Sequence, residues 1–208
     1  MTASRQIRDL LELFVLPGLS IVLPWRLCFA LYGRLARSNR LFVRETQAAL
    51  KGAARLHQIT APEQWMAHYR RMLLVDRADL FLSLFRRQAW IRRHVRFTGA
   101  AWPRSSAPFL AITFHWGAGL WGLRHLGLQG RAVAALIRDV PPGAFKGRPI
   151  LAGYVALRIR QTAKVAGTDT VSSSVNSIRE LKRRLVAGQN LLGLLDVPAE
   201  GKKNVLRV

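Results

Sequence analysis

The chain has 208 residues, half of them apolar, and carries 33 Lys and Arg against 11 acidic residues, a formal net charge of +22. That length suits one packed domain, and a mean hydropathy of +0.10 excludes both a disordered chain and a polytopic membrane protein. Residues 1–100 and 101–208 each hold a net +11, so the charge belongs to the folded body rather than to a basic tail. It directs the protein toward polyanions: nucleic acid, an anionic membrane surface or phosphorylated substrates. The one cysteine, Cys28, excludes an intrachain disulfide and any cysteine-based zinc site.

In chain order, the first feature is Leu13 to Trp25, 13 residues without a charge. A spanning helix needs about 20, and Pro17, Gly18 and Pro24 interrupt this one. Asp9 and Glu12 precede it and no small-residue cleavage site follows, which argues against a signal peptide. The expectation is a membrane-dipping or peripheral helix, with a buried core helix or a true span as alternatives. Arg34, Arg37, Arg40 and Arg44 come next and suit a cytoplasmic membrane face.

Thr60-Ala-Pro-Glu63 reads as a capping box with proline in the first turn. Behind it Trp65, Tyr69, Met72 and Leu73, then Leu80, Leu84 and Phe85, recur at helical spacing and read as core. The same helix is expected to end in a segment where Arg86, Arg87, Arg92, Arg93 and Arg96 alternate with Trp90 and Phe97, either a solvated face or a lipid-headgroup contact. Residues 1–92 are thus a helical, membrane-associating region packed on an α/β core of residues 93–208, one compact domain overall.

From residue 94 the period changes. Val95–Phe97 reads as a short strand, Phe109–Phe114 as a buried one and Gly117–Leu126 as a helix. Ala132–Ile137 is a second apolar strand, closed by a Pro141-Pro142-Gly143 turn. Leu151–Ile159 looks helical and Ala163–Ala166 strand-like. Ser174 opens a helix in which Val175, Ile178, Leu181 and Leu185 share a face, with Gly188 just past its end. Asn190–Leu195 is a last buried strand, reaching Asp196. The alternation predicts an α/β fold with a mixed, mainly parallel sheet flanked by helices. After a Pro198–Gly201 turn, Asn204–Val208 starts a strand and stops, which suggests truncation at the carboxyl terminus.

In such sheets the chemistry sits beyond the carboxyl ends of the strands. Three strands there lead to His115, to Arg138 with Asp139 beside it, and to Asp196. A histidine, an arginine and an aspartate converging on one cleft make a candidate site. There is no G-x-S-x-G elbow, no metal-ligand spacing among His57, His68, His94, His115 and His125, and no glycine-rich nucleotide cradle. Nucleic-acid binding lacks a helix-turn-helix, zinc or ribonucleoprotein signature.

Phe114-His115-Trp116-Gly117-Ala118-Gly119 resembles the H-x4-acid block of the lysophospholipid acyltransferase superfamily. It is closest to the branch that adds secondary lauroyl or myristoyl chains to lipid A, whose motif reads like His-Phe-Gly-Asn-Trp-Glu. The basic helical region before it, Ala135-Leu-Ile-Arg138, the stretch from Ser177-Ile-Arg-Glu-Leu to Asp196, and Gly201-Lys-Lys-Asn-Val are similar to that family in order and spacing, over roughly residues 15–208. The resemblance implies an acyltransferase, with lipid biosynthesis at the cytoplasmic face of a bacterial inner membrane as its setting. His115 would be the general base, Arg138, Trp116 and Gly117 would bind substrate, and Asp196 or Asp139 would orient the base or the acceptor. It implies no cofactor and no metal; acyl carrier protein or acyl-coenzyme A would be the donor substrate and a phosphorylated lipid the acceptor. The expected partners are these and an anionic membrane surface, not nucleic acid. One departure stands out: the motif acid falls at position 120, which is Leu120. Without an orienting carboxylate a histidine base loses about 10⁴ in rate, so the alternative is a catalytically silent, lipid-binding relative.

Overall fold

The computed structural model describes residues 3–55, 58–99, 101–103, 107–113, 119–137, 139–141, 143–173 and 176–194. Its first half is a set of helices: α1 (Ala3–Leu10), a π-helical turn (Leu11–Val15), α2 (Leu16–Val22), α3 (Trp25–Leu35), α4 (Val43–Ala53), α5 (Pro62–Phe85) and α6 (Gln88–His94). Pro17 sits in the first turn of α2, where a proline ring crowds the carbonyl four residues back; the wider π register directly before it relieves that clash. Both ends of α2 are tied to other parts of the chain. Tyr32 donates its hydroxyl to the carbonyls of Leu16 and Pro17 in the first turn, and Arg86 donates to those of Ser20 and Ile21 in the last.

The apolar run at 13–25 is mostly spent on this packing. Leu13 is buried with Leu80 and Phe81, while Leu16, Leu19, Leu23 and Trp25 pack on a second cluster of Cys28, Tyr32, Phe42 and Leu74. Among the described residues no helix is long and apolar enough to cross a membrane.

Three expectations for this half need correction. The capping box does not form: Pro62 opens α5 and keeps Ala61 out of the helical region, at φ −130° and ψ 74°, so Ala61 is the cap residue and Thr60 falls one position too early. The helix also stops at Phe85, where Arg86 is extended, and α6 is a separate element; Leu84 and Phe85 are exposed rather than core. Val95–Phe97 is not a strand. Among the described residues no strand pairs with it, and Phe97 instead stacks on His125 with ring centroids 3.7 Å apart.

The second half runs β1 (Leu110–Thr113), α7 (Gly119–Leu128), β2 (Val133–Ile137), α8 (Pro149–Ala166), β3 (Val171–Ser172), α9 (Ser177–Val186) and β4 (Asn190–Leu194). The sheet order is β1-β4-β2-β3, and every described pairing is parallel rather than mixed. Both faces are covered, as parallel sheets require. Val133 packs with Leu120, Leu123, Leu126, Tyr154 and Ala166 of α7 and α8. Ala134, one residue on and so facing the other way, packs with Val171, Leu191, Leu181 and Leu185. Ile178, expected on that same face, is 81% exposed.

Ala163–Ala166 is the last turn of α8, because the apolar positions continue the helical spacing of Tyr154 and Leu157 up to Gly167. That glycine ends the helix in the left-handed region at φ +77, and a Cβ on it would come within 3.3 Å of the Ala132 Cβ. Nothing in the sequence pattern marks strand β3. The Pro198–Gly201 turn and the strand expected at Asn204–Val208 lie outside the described residues. At the sheet edge, Leu110 and Ile112 of β1 are about half exposed (51% and 55%).

Candidate active site at the carboxyl edge of the sheet

Three neighbouring strands end level. Thr113, the last residue of β1, lies opposite Leu194, the last of β4. Ala135 of β2 lies opposite Leu192 of β4, each two residues from its strand's end. In the sequence His115 follows β1 by two positions, Arg138 follows β2 directly and Asp196 follows β4 by two. These three, with Trp116 and Gly117, lie outside the described residues; the strands that lead to them are adjacent and co-terminal.

Asp139 is described. It is exposed, its N–H donates to Ser173 Oγ at 3.1 Å and its Oδ1 accepts from Ser172 Oγ at 3.0 Å. Its carboxylate is thus engaged in tying the end of β2 to β3.

Leu120 is the second residue of α7 and is buried in the core with Leu80 and Phe81. Its N–H, one of the orphan donors of a helix start, is satisfied by a residue that no sequence motif marks. Asp79, from α5 and with no exposed surface, accepts it on Oδ2 at 2.7 Å. The other oxygen, Oδ1, is buried and has no hydrogen-bond partner among the described residues. Burial pushes the Asp79 carboxyl up to about 8, against the pull of the Leu120 N–H, Arg158 and Arg124 and with some help from Asp76.

Asp79 belongs to a polar stripe. Asp76, Asp79, Ser83 and Arg86 are three, four and three residues apart, so they share one face of α5 and its end, and that face meets α7 and α8. Arg158 of α8 bonds the Asp76 carboxylate at 2.6 Å, the Asp76 carbonyl and the Tyr154 hydroxyl. Arg124 of α7 donates to the carbonyls of Ser83 and Arg86. Gln161 of α8 donates to both oxygens of Ser83. The signal available in the sequence is this spacing of polar residues inside an otherwise apolar stretch.

A second basic feature lies between α3 and α5. A groove of about 490 Å³ is lined by Phe29, Arg34, Arg37, Gln64, His68 and Arg71 among others, with the Arg71 guanidinium 4.1 Å from the Phe29 ring centre. Among the described residues, no group of three His, Cys, Asp or Glu side chains is placed to hold a metal ion. The outward face of the first helices is apolar: Ile7, Leu10, Leu11 and Val15 are 43–57% exposed.

Together the described elements define a mixed α/β protein with a four-stranded parallel sheet. Comparison with protein-family models, with curated proteins and with solved structures finds no match to the chain.

Proposed function

We propose that the protein is a membrane-associated acyltransferase. It moves a fatty acyl chain from acyl carrier protein or coenzyme A to a hydroxyl of a phosphorylated lipid or related envelope precursor at the cytoplasmic face of a bacterial inner membrane. The observation that carries the reading is the level ending of β1, β4 and β2, which is the placement that a site made of His115, Asp196 and Arg138 requires.

In this reaction His115 takes the proton of the acceptor hydroxyl as its oxygen attacks the thioester carbonyl. The carbon–sulfur bond breaks, the thiolate leaves, and the imidazolium returns the proton to it. The products are an ester and a free thiol, with His115 regenerated. Arg138 holds acceptor phosphate through charge-assisted bonds, with Trp116 and Gly117 lining the substrate. The net charge of +22 complements an acidic carrier, a phosphorylated acceptor and an anionic bilayer alike. The exposed apolar face at Ile7, Leu10, Leu11 and Val15 beside Arg8 suits shallow seating in the headgroup region.

One feature favours a second reading. Leu120 is apolar and buried where the resemblance implies an acid, which suits a silent lipid-binding relative. The two separate in one assay, with radiolabelled acyl carrier protein or acyl-coenzyme A as donor and total membrane lipid as acceptor. Transfer that His115→Ala abolishes supports the enzyme. Equal inactivity of both proteins with both donors, while lipid binding persists, supports the silent relative.

A further inference from the structure

We propose that the groove between α3 and α5 binds a phosphate monoester, carried either by a lipid headgroup or by a soluble ester. Arg34, Arg37 and Arg71 hold the phosphate oxygens, Gln64 and His68 line the same space, and Gly33 leaves it open. The site lies wholly in the helical half of the chain and does not depend on acyl transfer.

Helical spacing brings these side chains together. Gly33, Arg34 and Arg37 fall three or four residues apart on α3 and the turn after it, and Gln64, His68 and Arg71 do so on α5. Each set shares one helix face, and the two faces border about 490 Å³, the size of a small-molecule site. The sequence groups Arg34 and Arg37 with Arg44, but the structure parts them. Arg44 lines another groove, of about 390 Å³, together with Asp9, Glu12 and Glu45, which therefore contains its own counter-charges. No acidic side chain lines the groove between α3 and α5 among the described residues.

Its arginines also keep their donors free. Elsewhere guanidinium groups are engaged by the fold: Arg70 donates to the Ala36 carbonyl, Arg148 to Asp9 and Arg158 to Asp76. The side chains of Arg34, Arg37 and Arg71 have no hydrogen bond or ion pair among the described residues. Arg71 is nonetheless set in place, its guanidinium 4.1 Å from the Phe29 ring centre. Attraction to a ring face positions a guanidinium without occupying its N–H groups, which remain available to a ligand.

Charge and room then select the ligand. Three guanidiniums around one open space repel one another, and an anion between them relieves the repulsion while charge-assisted bonds form. A phosphate monoester brings about two negative charges near neutral pH, whereas a diester brings one. A Cβ on Gly33 would meet nothing within 4 Å, so the space beside α3 is free for the group that the phosphate carries.

The test is flotation of the full chain with phosphatidylcholine vesicles that contain phosphatidic acid, a monoester, or phosphatidylglycerol, a diester, at matched surface charge. Glycerol phosphate is the soluble probe, followed by calorimetry. Wild type should prefer the monoester vesicles by at least about tenfold, the effect of one hydrogen bond to a charged group, or bind glycerol phosphate directly. Gly33→Leu fills the groove with the charge unchanged, and Arg71→Gln removes the stacked guanidinium. Each should abolish the preference, or the glycerol phosphate binding, while Arg40→Gln, the same change of charge outside the groove, should keep it.

A vesicle preference without glycerol phosphate binding assigns the site to a lipid headgroup. Glycerol phosphate binding that both groove variants lose assigns it to a soluble ester. Equal binding of the two vesicles by the wild type, with no binding of glycerol phosphate, overturns the proposal whether or not the variants fold. So does a preference that persists in folded Gly33→Leu and Arg71→Gln. None of these measurements uses an acyl donor, so their outcome is separate from that of the transfer assay.

Discussion

Asp9 grips Arg148 with both carboxylate oxygens, Oδ1 accepting from Nη2 at 2.6 Å and Oδ2 from Nε at 3.0 Å, across 139 residues of chain. Arg148 is the residue that caps α8, and next to it Gln6 donates to the Gly147 carbonyl at 2.7 Å. The first helix is therefore docked on the start of α8. The docking turns Asp9 inward and leaves Ile7, Leu10 and Leu11 facing out.

Removing the two partners of that fork should have unequal effects. The Asp9 side chain is 6% exposed and that of Arg148 26%, so Arg148→Ala strands a buried carboxylate, whereas Asp9→Ala leaves a guanidinium that can turn to water. Arg148→Ala should cost about 3 kcal/mol and Asp9→Ala about 1–2 kcal/mol. Urea unfolding of the two variants checks the order; equal losses would mean that the pair acts through packing alone.

Asp79 gives stability a pH dependence whose sign follows from its raised pKa. Between about 4 and about 8 the native state keeps a proton that the unfolded chain has released. Stability is therefore full at the acid end of that window and falls as pH rises through it, by up to about 1.4 kcal/mol per unit. Asp79→Asn should flatten the fall. Thermal or urea melts from pH 4 to 8 measure the slope.

Gly167 and Gly188 both end helices with positive φ, +77 and +81, but their surroundings differ. A Cβ on Gly167 would press on Ala132, whereas one on Gly188 would meet nothing within 4 Å among the described residues. The left-handed conformation costs an alanine roughly 1 kcal/mol at either site. Gly167→Ala should lose more than Gly188→Ala in chemical denaturation, the difference measuring how far the Ala132 turn can yield.

Membrane association should have two separable parts. With anionic vesicles, high salt should release only a fraction of the protein, since screening weakens the arginines and spares apolar insertion. Leu10→Ser with Leu11→Ser should remove most of the salt-resistant fraction. Arg34→Gln with Arg37→Gln should weaken binding at low salt by about 1 kcal/mol per charge and leave the resistant fraction unchanged. Complete release of the unmodified protein by salt alone would rule out the apolar seat.

The elements that can be read from sequence are those whose pattern and environment agree. The apolar cores of β2 and β4 are short continuous runs bounded by turns, and both are parallel strands of the sheet. Misreadings arise where one segment satisfies two patterns. Ala163–Ala166 alternates like a strand, but it continues the helix that starts at Pro149, and propagation is easier than a fresh start. Val171–Ser172 is too short to show any period. Asp79 escapes notice because its spacing with Asp76, Ser83 and Arg86 marks a polar stripe but not what the stripe meets. Its meaning comes from Leu120, 41 residues away.

The strand order has a consequence for how the protein is made. β4, the last described strand in the chain, lies between β1 and β2 and is the one that joins them. Until residues 190–194 have left the ribosome, β1 has no partner among the described strands and β2 has only the two-residue β3. The apolar strand Leu110–Thr113 must then wait, unpaired, through the synthesis of roughly eighty more residues, about 4–16 s at usual elongation rates. The helices of the first half can pack meanwhile, so a nascent chain halted before 190 should carry a folded helical part and an exposed, adhesive stretch at 109–137 that invites chaperone capture.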